Sequence, residues 1–430
     1  MSKSNWKKYA LGFVSATTAL VLAACGGGGE EANGNDESGT GGDAEGEVLE
    51  VGIEAQYVDF VEEIAPGFEE ETGVTIEITE GSMFDQLEAL PLDGPSGLAP
   101  DVFLAPYDRV GGLGQQGHLS PVSLPEDGRY DDLDVQQVTV DGDQYAYPYV
   151  IEALVMYSNN DLVDEVPQTF EELEALAQDD QFAFENEEGT NVGFLANWVD
   201  FYNSYGLISG FGGYVFGEDG TDTSDVGLNS PGAIEGIEYA TGWFQDVWPE
   251  GMLDVTSSGD FINQSFVNGD TAAVIGGPWE VGNYRDSDVD FTISAIPTLP
   301  NGNEYEPFAG GKAWAVSSYA ENVDVAEQWL EYITNEENQM LQHTDFEGEV
   351  PANQMARDTI LEEDSDELSI AVIEQYNNSV PMPNIPEMAE VWTGAETMMF
   401  DAGSGNKTPE EAANDTVDTI DQNIEQTYQE

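Results

Sequence analysis

The sequence predicts an α/β protein of two domains built around mainly parallel sheet. Three observations predict it. Beyond residue 47 about 380 residues remain, enough for two domains at the usual ~100–200 residues each. The composition, 40% hydrophobic and 10% aromatic, supports a substantial core. Short apolar strands alternate with helical periods in the first part of that region, the rhythm of βαβ units.

The elements follow in order. Residues 49–53 (LEVGI) alternate as a strand. From 60 to 72 the apolar residues keep a helical period, with Ile64 and Phe68 on one face and Gly73 as the stop. Residues 74–78 (VTIEI) and 100–105 (PDVFLA) are the next strands, the latter followed by a helix through Leu113. In open α/β sheets ligands bind beyond the carboxyl ends of strands, and 105–109 (APYDR) lies at such an end. Residues 144–150 and 154–157 read as strands crossing from one lobe to another, with Glu152 between them. Thr169 starts a helix, because TFEE at 169–172 fits the capping box. The aromatic-rich stretches 197–203 and 211–216 precede a helix over 229–248. Residues 266–275 read as a strand feeding the turn at 276–279; a strand at 308–317 and a helix at 323–334 follow. No internal repeat is evident.

The amino-terminal end is of a different kind. Residues 1–24 combine a basic start, a short apolar run and small residues before Cys25, the pattern of a removable export signal ending in a lipobox. The run is shorter than the ~20 residues that span a bilayer. Cys25 is the only cysteine in the chain, so it forms no internal disulfide and stands where a lipid is attached. Residues 26–47 hold no aromatic and no aliphatic larger than alanine, the composition of a flexible acidic tether. The expected location is therefore extracytoplasmic, lipid-anchored to the outer face of the cell membrane.

Charge narrows the partners. Loss of Lys3, Lys7 and Lys8 with the signal takes the formal charge from −77 to −80 and leaves six bases against 86 acids. Such a surface repels itself at low salt, whereas at ~1 M salt the Debye length falls to ~3 Å. This is the composition of an exported protein from a saline or alkaline habitat. Nucleic acid and anionic lipid surfaces are excluded as partners by sign. Dense carboxylates also make acid-pair motifs common by chance. Residues 218–225 (EDGTDTSD) resemble a calcium loop only faintly, lacking the EF-hand spacing, and no metal or other cofactor is expected.

Six collinear segments carry a family resemblance: PDVFLAPYDRVGGLGQQGHL at 100–119, YPYVIEAL at 147–154, SGFGGYVF at 209–216, DVGLNSPGA at 225–233, FVNGDTAAVIGGPW at 266–279 and MPNIPEMAEVW at 382–392. Together they resemble the extracellular solute-binding proteins of ABC importers, in the maltose/maltodextrin-binding branch. The resemblance implies a two-lobed periplasmic-binding-protein fold with crossing hinge strands and a sugar cleft between the lobes. It assigns 48–151 and 307–351 to one lobe, and 156–302 and 356–430 to the other. It also implies a non-catalytic, monomeric receptor that closes by hinge motion and delivers maltodextrin-type oligosaccharides to a membrane permease.

The candidate binding residues follow position by position. Asp108 and Arg109 supply an acceptor and a donor side by side, as neighbouring sugar hydroxyls require; a plain ion pair is the alternative. Glu152 matches a carboxylate at the cleft floor. Asp200 and Tyr202, with Phe201 or Asn203, match an acidic-aromatic loop. Trp279 and Trp392 are the stacking candidates, because the axial C–H face of glucose is apolar and packs on an aromatic plane; Trp198 and Tyr107 are weaker ones. Gln56 and Tyr57 fall where the best-known member has an acid–base pair, and do not match it. Ala105 replaces a tryptophan, Thr393 a tyrosine and Glu396 an arginine, so a longer maltodextrin, a cyclodextrin or another glucan stays open, and a receptor of the same fold for a different solute, such as a xylo-oligosaccharide, is the second reading. A metal or anion receptor is poorly served by two histidines and six bases. A surface glycoside hydrolase using paired carboxylates is the competing enzyme reading.

Overall fold

The computed structural model describes residues 47–346, 348–363 and 366–428. The expected signal peptide, Cys25 and nearly all of the acidic tether lie outside the described residues. No described helix is long and apolar enough to cross a membrane.

The first sheet has the parallel centre that the alternation requires. Val48–Ile53 pairs in parallel with Thr75–Glu80 on one side and Val102–Pro106 on the other. Four of the five residues of Val102–Pro106 are buried in a row, as a sheet covered on both faces demands. Past it the pairing turns antiparallel: Phe308–Val316 runs against Val102–Pro106 and also against Ala146–Glu152. Val380–Pro381 adds a short parallel edge at Phe308 and Ala309.

The helix Val58–Thr72 buries Phe60, Val61, Ile64 and Phe68, and ends where Gly73 takes φ 78° and its N–H bonds to the Glu69 carbonyl. Glycine enters that left-handed conformation without a Cβ clash, so the stop is encoded. Phe68 meets Trp329 of the helix Val323–Ile333 edge-on at 5.2 Å. The helix Met83–Asp93, capped by Ser82, has no counterpart in the sequence reading. Its Pro91 and its exposed Phe84 and Leu92 break the apolar period that identifies a helix.

The second sheet runs Phe291–Ser294, Val155–Asn159, Ala273–Gly276, Phe194–Ala196, with only the last pair parallel. The expected strand over 266–275 is corrected here. Phe266 and Val267 close the helix Ser258–Val267, the chain turns at Gly269 with φ 75°, and the strand starts only at Ala273. The cap at Thr169 is also only half a box. Its hydroxyl accepts from Glu172 N–H at 3.4 Å, but Glu172 Oε2 accepts from Gln168 N–H at 2.6 Å rather than from Thr169.

Each sheet has its own apolar core, and the chain changes core within two strands. Val150 packs in the first core, whereas Ile151, Ala153 and Leu154 pack in the second. Along Phe308–Val316, Phe308 and Ala309 belong to the second core and Ala313 to Val316 to the first. The two paired crossings make the protein two-lobed, and they carry Glu152 and Lys312 into the space between the cores.

Candidate functional site

The helix Tyr107–Gln115 begins where the strand Val102–Pro106 ends, so Asp108 and Arg109 occupy its first turn. A carboxylate there is favoured by the helix dipole. Arg109 Nε lies 3.3 Å from Asp108 Oδ2, with Arg109 half exposed and Asp108 mostly covered. Burial pushes the Asp108 carboxyl above the usual range, and Arg109 offsets part of that rise. Gly111 lets this helix sit on the 382–386 segment: a Cβ there would lie 2.1 Å from the Asn384 carbonyl oxygen. Asn384 is itself fixed by donating Nδ2–H to the carbonyls of Gln137 and Thr139, at 3.0 and 3.2 Å. The result is one cavity of about 210 Å³ lined by Asp108, Arg109, Ile385, Met388 and Trp392.

Glu152 and Trp279 line a second cavity of about 430 Å³, together with Gln56, Lys312 and Glu349. Trp279 is 53% exposed, the most exposed tryptophan among the described residues. Gly277 makes room for it, because a Cβ at that position would meet the indole ring at 2.2 Å. On the cavity floor Lys312 Nζ lies 2.9 Å from Glu152 Oε1 and 2.6 Å from Glu349 Oε1. The Tyr57 hydroxyl donates to Glu349, with its carboxylate oxygens at 2.9 and 2.8 Å. Burial pulls the Lys312 pKa down, but Glu152 and Glu349 outweigh it and leave the ammonium firmly charged.

Tyr202 touches Trp279 of one cavity and, through the buried ring of Phe308, connects to Trp392 of the other. It lies on the helix Phe201–Gly210, whose cap is Asp200, accepting from Asn203 N–H at 3.0 Å and Nδ2 at 2.7 Å. Burial raises the Tyr202 phenol above its ordinary value, and Glu152, Asp108 and Asp200 push it further. Three of the predicted acids, Glu152, Asp108 and Asp200, lie near enough to act on this one phenol electrostatically. The rings continue the link: Trp279 to Tyr202 at 6.2 Å, Tyr202 to Phe308 at 6.2 Å, and Phe308 to Trp392 at 5.9 Å. Gly310 permits this, since a Cβ there would stand 2.8 Å from the Tyr202 hydroxyl.

Two weaker candidates are corrected. Trp198 is fully buried, stacked on Phe170, and donates its indole N–H to the Tyr305 hydroxyl at 3.3 Å. Tyr107 is fully buried and donates to the Val150 carbonyl at 3.2 Å. Both are core residues. Lys312 and Glu349 were missing from the sequence reading. Lys312 had a signal, being one of six bases beyond residue 25, while Glu349 is one acid among 86. Burial raises the Glu396 carboxyl above its ordinary range, and Asp200 adds to the rise.

A further cavity, about 610 Å³, lies elsewhere, between Gln136, Tyr214, Phe216, Glu218 and Pro383. No predicted binding residue lines it. Tyr205 and Phe216 on its wall are 5% and 3% exposed, so they offer no free ring face, and the Tyr214 hydroxyl is already spent on Asp225 at 2.9 Å. The two smaller cavities hold Asp108, Arg109, Glu152, Trp279 and Trp392 instead, and Trp279 offers an exposed indole face. Among the described residues no group of three or more His, Cys, Asp or Glu side chains is arranged to hold a metal ion.

Two α/β lobes joined by crossing strands, with polar and aromatic side chains converging between them, define a solute-binding receptor. Residues 63–368 match the family of bacterial extracellular solute-binding proteins, and the chain belongs to it. It is 52% identical over 381 residues to the maltodextrin-binding protein MdxE of Bacillus subtilis (strain 168), covering 89% of this chain and 91% of that one. It is 42% identical over 431 residues to a maltooligosaccharide ABC transporter solute-binding lipoprotein of Streptococcus pneumoniae serotype 4, covering 100% of each. Among solved structures, the maltose complex of the Listeria monocytogenes maltose-binding protein MalE superposes with a TM-score of 0.86 at 54% identity, over 89% of this chain and 99% of that one. MalX of Streptococcus pneumoniae, solved with maltopentaose, gives 0.80 at 43% identity, over 87% and 100%.

Proposed function

We propose that the protein is a surface lipoprotein, anchored through Cys25, that binds maltose/maltodextrin-type oligosaccharides and hands them to the membrane permease of an ABC importer. Residues 48–151 with 307–351 form one lobe in this reading, and 156–302 with 356–430 the other. Sugar rings lie along the row Trp279, Tyr202, Trp392, their apolar faces on the indoles. Asp108 with Arg109 serves hydroxyls at one end, and Glu152 at the other. Asp200 acts mainly by capping the helix that presents Tyr202. Rotation about the two crossings closes the lobes over the sugar, and the closed form is what the permease recognises.

The observation that carries this reading is the aromatic row between two carboxylate-bearing cavities. Catalysis is not part of it: Glu152, the acid at the cleft floor, is held in an ion pair with Lys312 at 2.9 Å. The test is a calorimetric titration at molar salt with maltose, maltotriose, maltotetraose, cyclodextrins and xylo-oligosaccharides, with chromatography of the mixtures. Saturable binding of the α-glucans without new products is expected. Preference for xylo-oligosaccharides, or release of shorter sugars, would replace the reading.

A further inference from the structure

The strand Phe308–Val316 is buried at every position except Lys312. A lysine in that setting requires carboxylates to hold its charge, and both Glu152 and Glu349 are recruited for it. Mere packing would not call for this arrangement, since apolar side chains of similar size usually serve as well or better than a buried ion pair. In a chain with six bases beyond residue 25, placing one here is a specific choice.

We infer that Lys312, with Glu349 and Glu152, is a sugar-binding cluster that grips neighbouring hydroxyls of the glucose unit seated against Trp279. The inference rests on the reading of the cleft as a maltodextrin site and adds residues to it. All four side chains line the same cavity of about 430 Å³. An ammonium has three N–H donors. Two are engaged by the carboxylates, with the Tyr57 hydroxyl also beside the ammonium, and because Lys312 lines the cavity a sugar hydroxyl oxygen can compete for the remaining donor. Each carboxylate keeps lone pairs beyond the one that Lys312 uses, so acceptors stand beside that donor. A pair of adjacent glucose hydroxyls needs this side-by-side donor and acceptor. The Tyr57 hydroxyl, bonded to Glu349 at 2.9 and 2.8 Å, holds the carboxylate in place from behind. Tyr57 is fully buried, so it acts as a positioning residue rather than a contact.

The test is calorimetric titration of the full chain at molar salt with maltotriose and with maltotrioses lacking single hydroxyls. Lys312→Met keeps the length of the stem. Lys312→Met/Glu349→Gln removes one charge of each sign and guards against misfolding caused by two unpaired carboxylates. Hydrogen bonds to charged groups predict a ~10–100-fold loss of maltotriose affinity in either variant. At least one deoxy sugar should bind the wild type ~10-fold or more weakly yet bind the variants no worse than maltotriose itself. A purely structural cluster would leave the deoxy penalties equal in wild type and variants, and that result, or affinity within twofold of wild type in the double variant, overturns the inference. Wild-type protein that binds no maltodextrin at all would instead overturn the receptor reading, and this cluster's role with it.

Discussion

Truncating Trp279 to alanine separates binding from folding more cleanly than any other change in the cleft. A tryptophan presents up to about 250 Å², and 53% of this residue is open to solvent, which leaves roughly 130 Å² for a ligand. A pyranose covers one face, so about half of that area, ~65 Å², leaves water on binding. At ~25 cal/mol/Å² this contributes ~1.6 kcal/mol, a ~15-fold change in affinity. The stability cost is limited, because the indole rests on Gly277 and the tilted ring of Tyr202 rather than in a core. The assay is a maltotriose titration followed by intrinsic fluorescence and by calorimetry, with a thermal melt of the same samples. Trp279→Ala should bind ~10–30-fold more weakly and melt within a few degrees of wild type. Affinity within twofold of wild type in a folded variant would refute the stacking argument.

Other predictions follow from the same geometry. Trp392 packs edge-on against buried Phe201 and Phe308 at 5.8 and 5.9 Å, so Trp392→Ala should lower both affinity and melting temperature; a loss confined to either measurement would contradict its shared role. Asp108 has a folded pKa above its unfolded one. Stability is therefore lost as pH rises from the ordinary aspartate value through the raised one. Asp108→Asn should raise the melting temperature at pH 7, lose that advantage below about pH 4, and bind maltotriose ~10–100-fold more weakly; a lower melting temperature at pH 7 would contradict it. Gly310→Ala should push the Tyr202 hydroxyl aside, because the added Cβ would be 2.8 Å from it, and reduce affinity with a smaller effect on the melt; unchanged binding would count against Tyr202. With 86 acids, melting temperature should climb steadily from ~0.1 M to ~1 M salt as the Debye length shrinks from ~10 to ~3 Å; a flat curve would show that the surface charge does not oppose folding.

Much of the fold was legible because its signals are local. Gly73 at φ 78° and the apolar row of Val102–Pro106 each follow from the residues themselves. The helix Met83–Asp93 was hidden because Phe84 and Leu92 point into solvent, against the rule that apolar side chains mark the buried face. Phe266 misled for the opposite reason: a buried aromatic at a helix end looks like one at a strand start. At the site, the positions of Trp279 and Trp392 came from motifs; Trp279 is exposed, while Trp392 is half-buried against the second core. Trp198 shows the limit, since a tryptophan's sequence neighbours do not reveal whether it meets solvent or Phe170. The Lys312 cluster was not readable because its carboxylates come from residues 152 and 349, brought together only by the crossing of the chain between its two cores.

A crystal structure of the protein with maltotriose tests the central claim most directly. The sugar should lie between the lobes, one ring on Trp279 and another toward Trp392, with hydroxyls reaching Asp108 and Glu152. Sugar seated instead in the larger cavity beside Tyr214 and Pro383, with Trp279 still facing solvent, would contradict it.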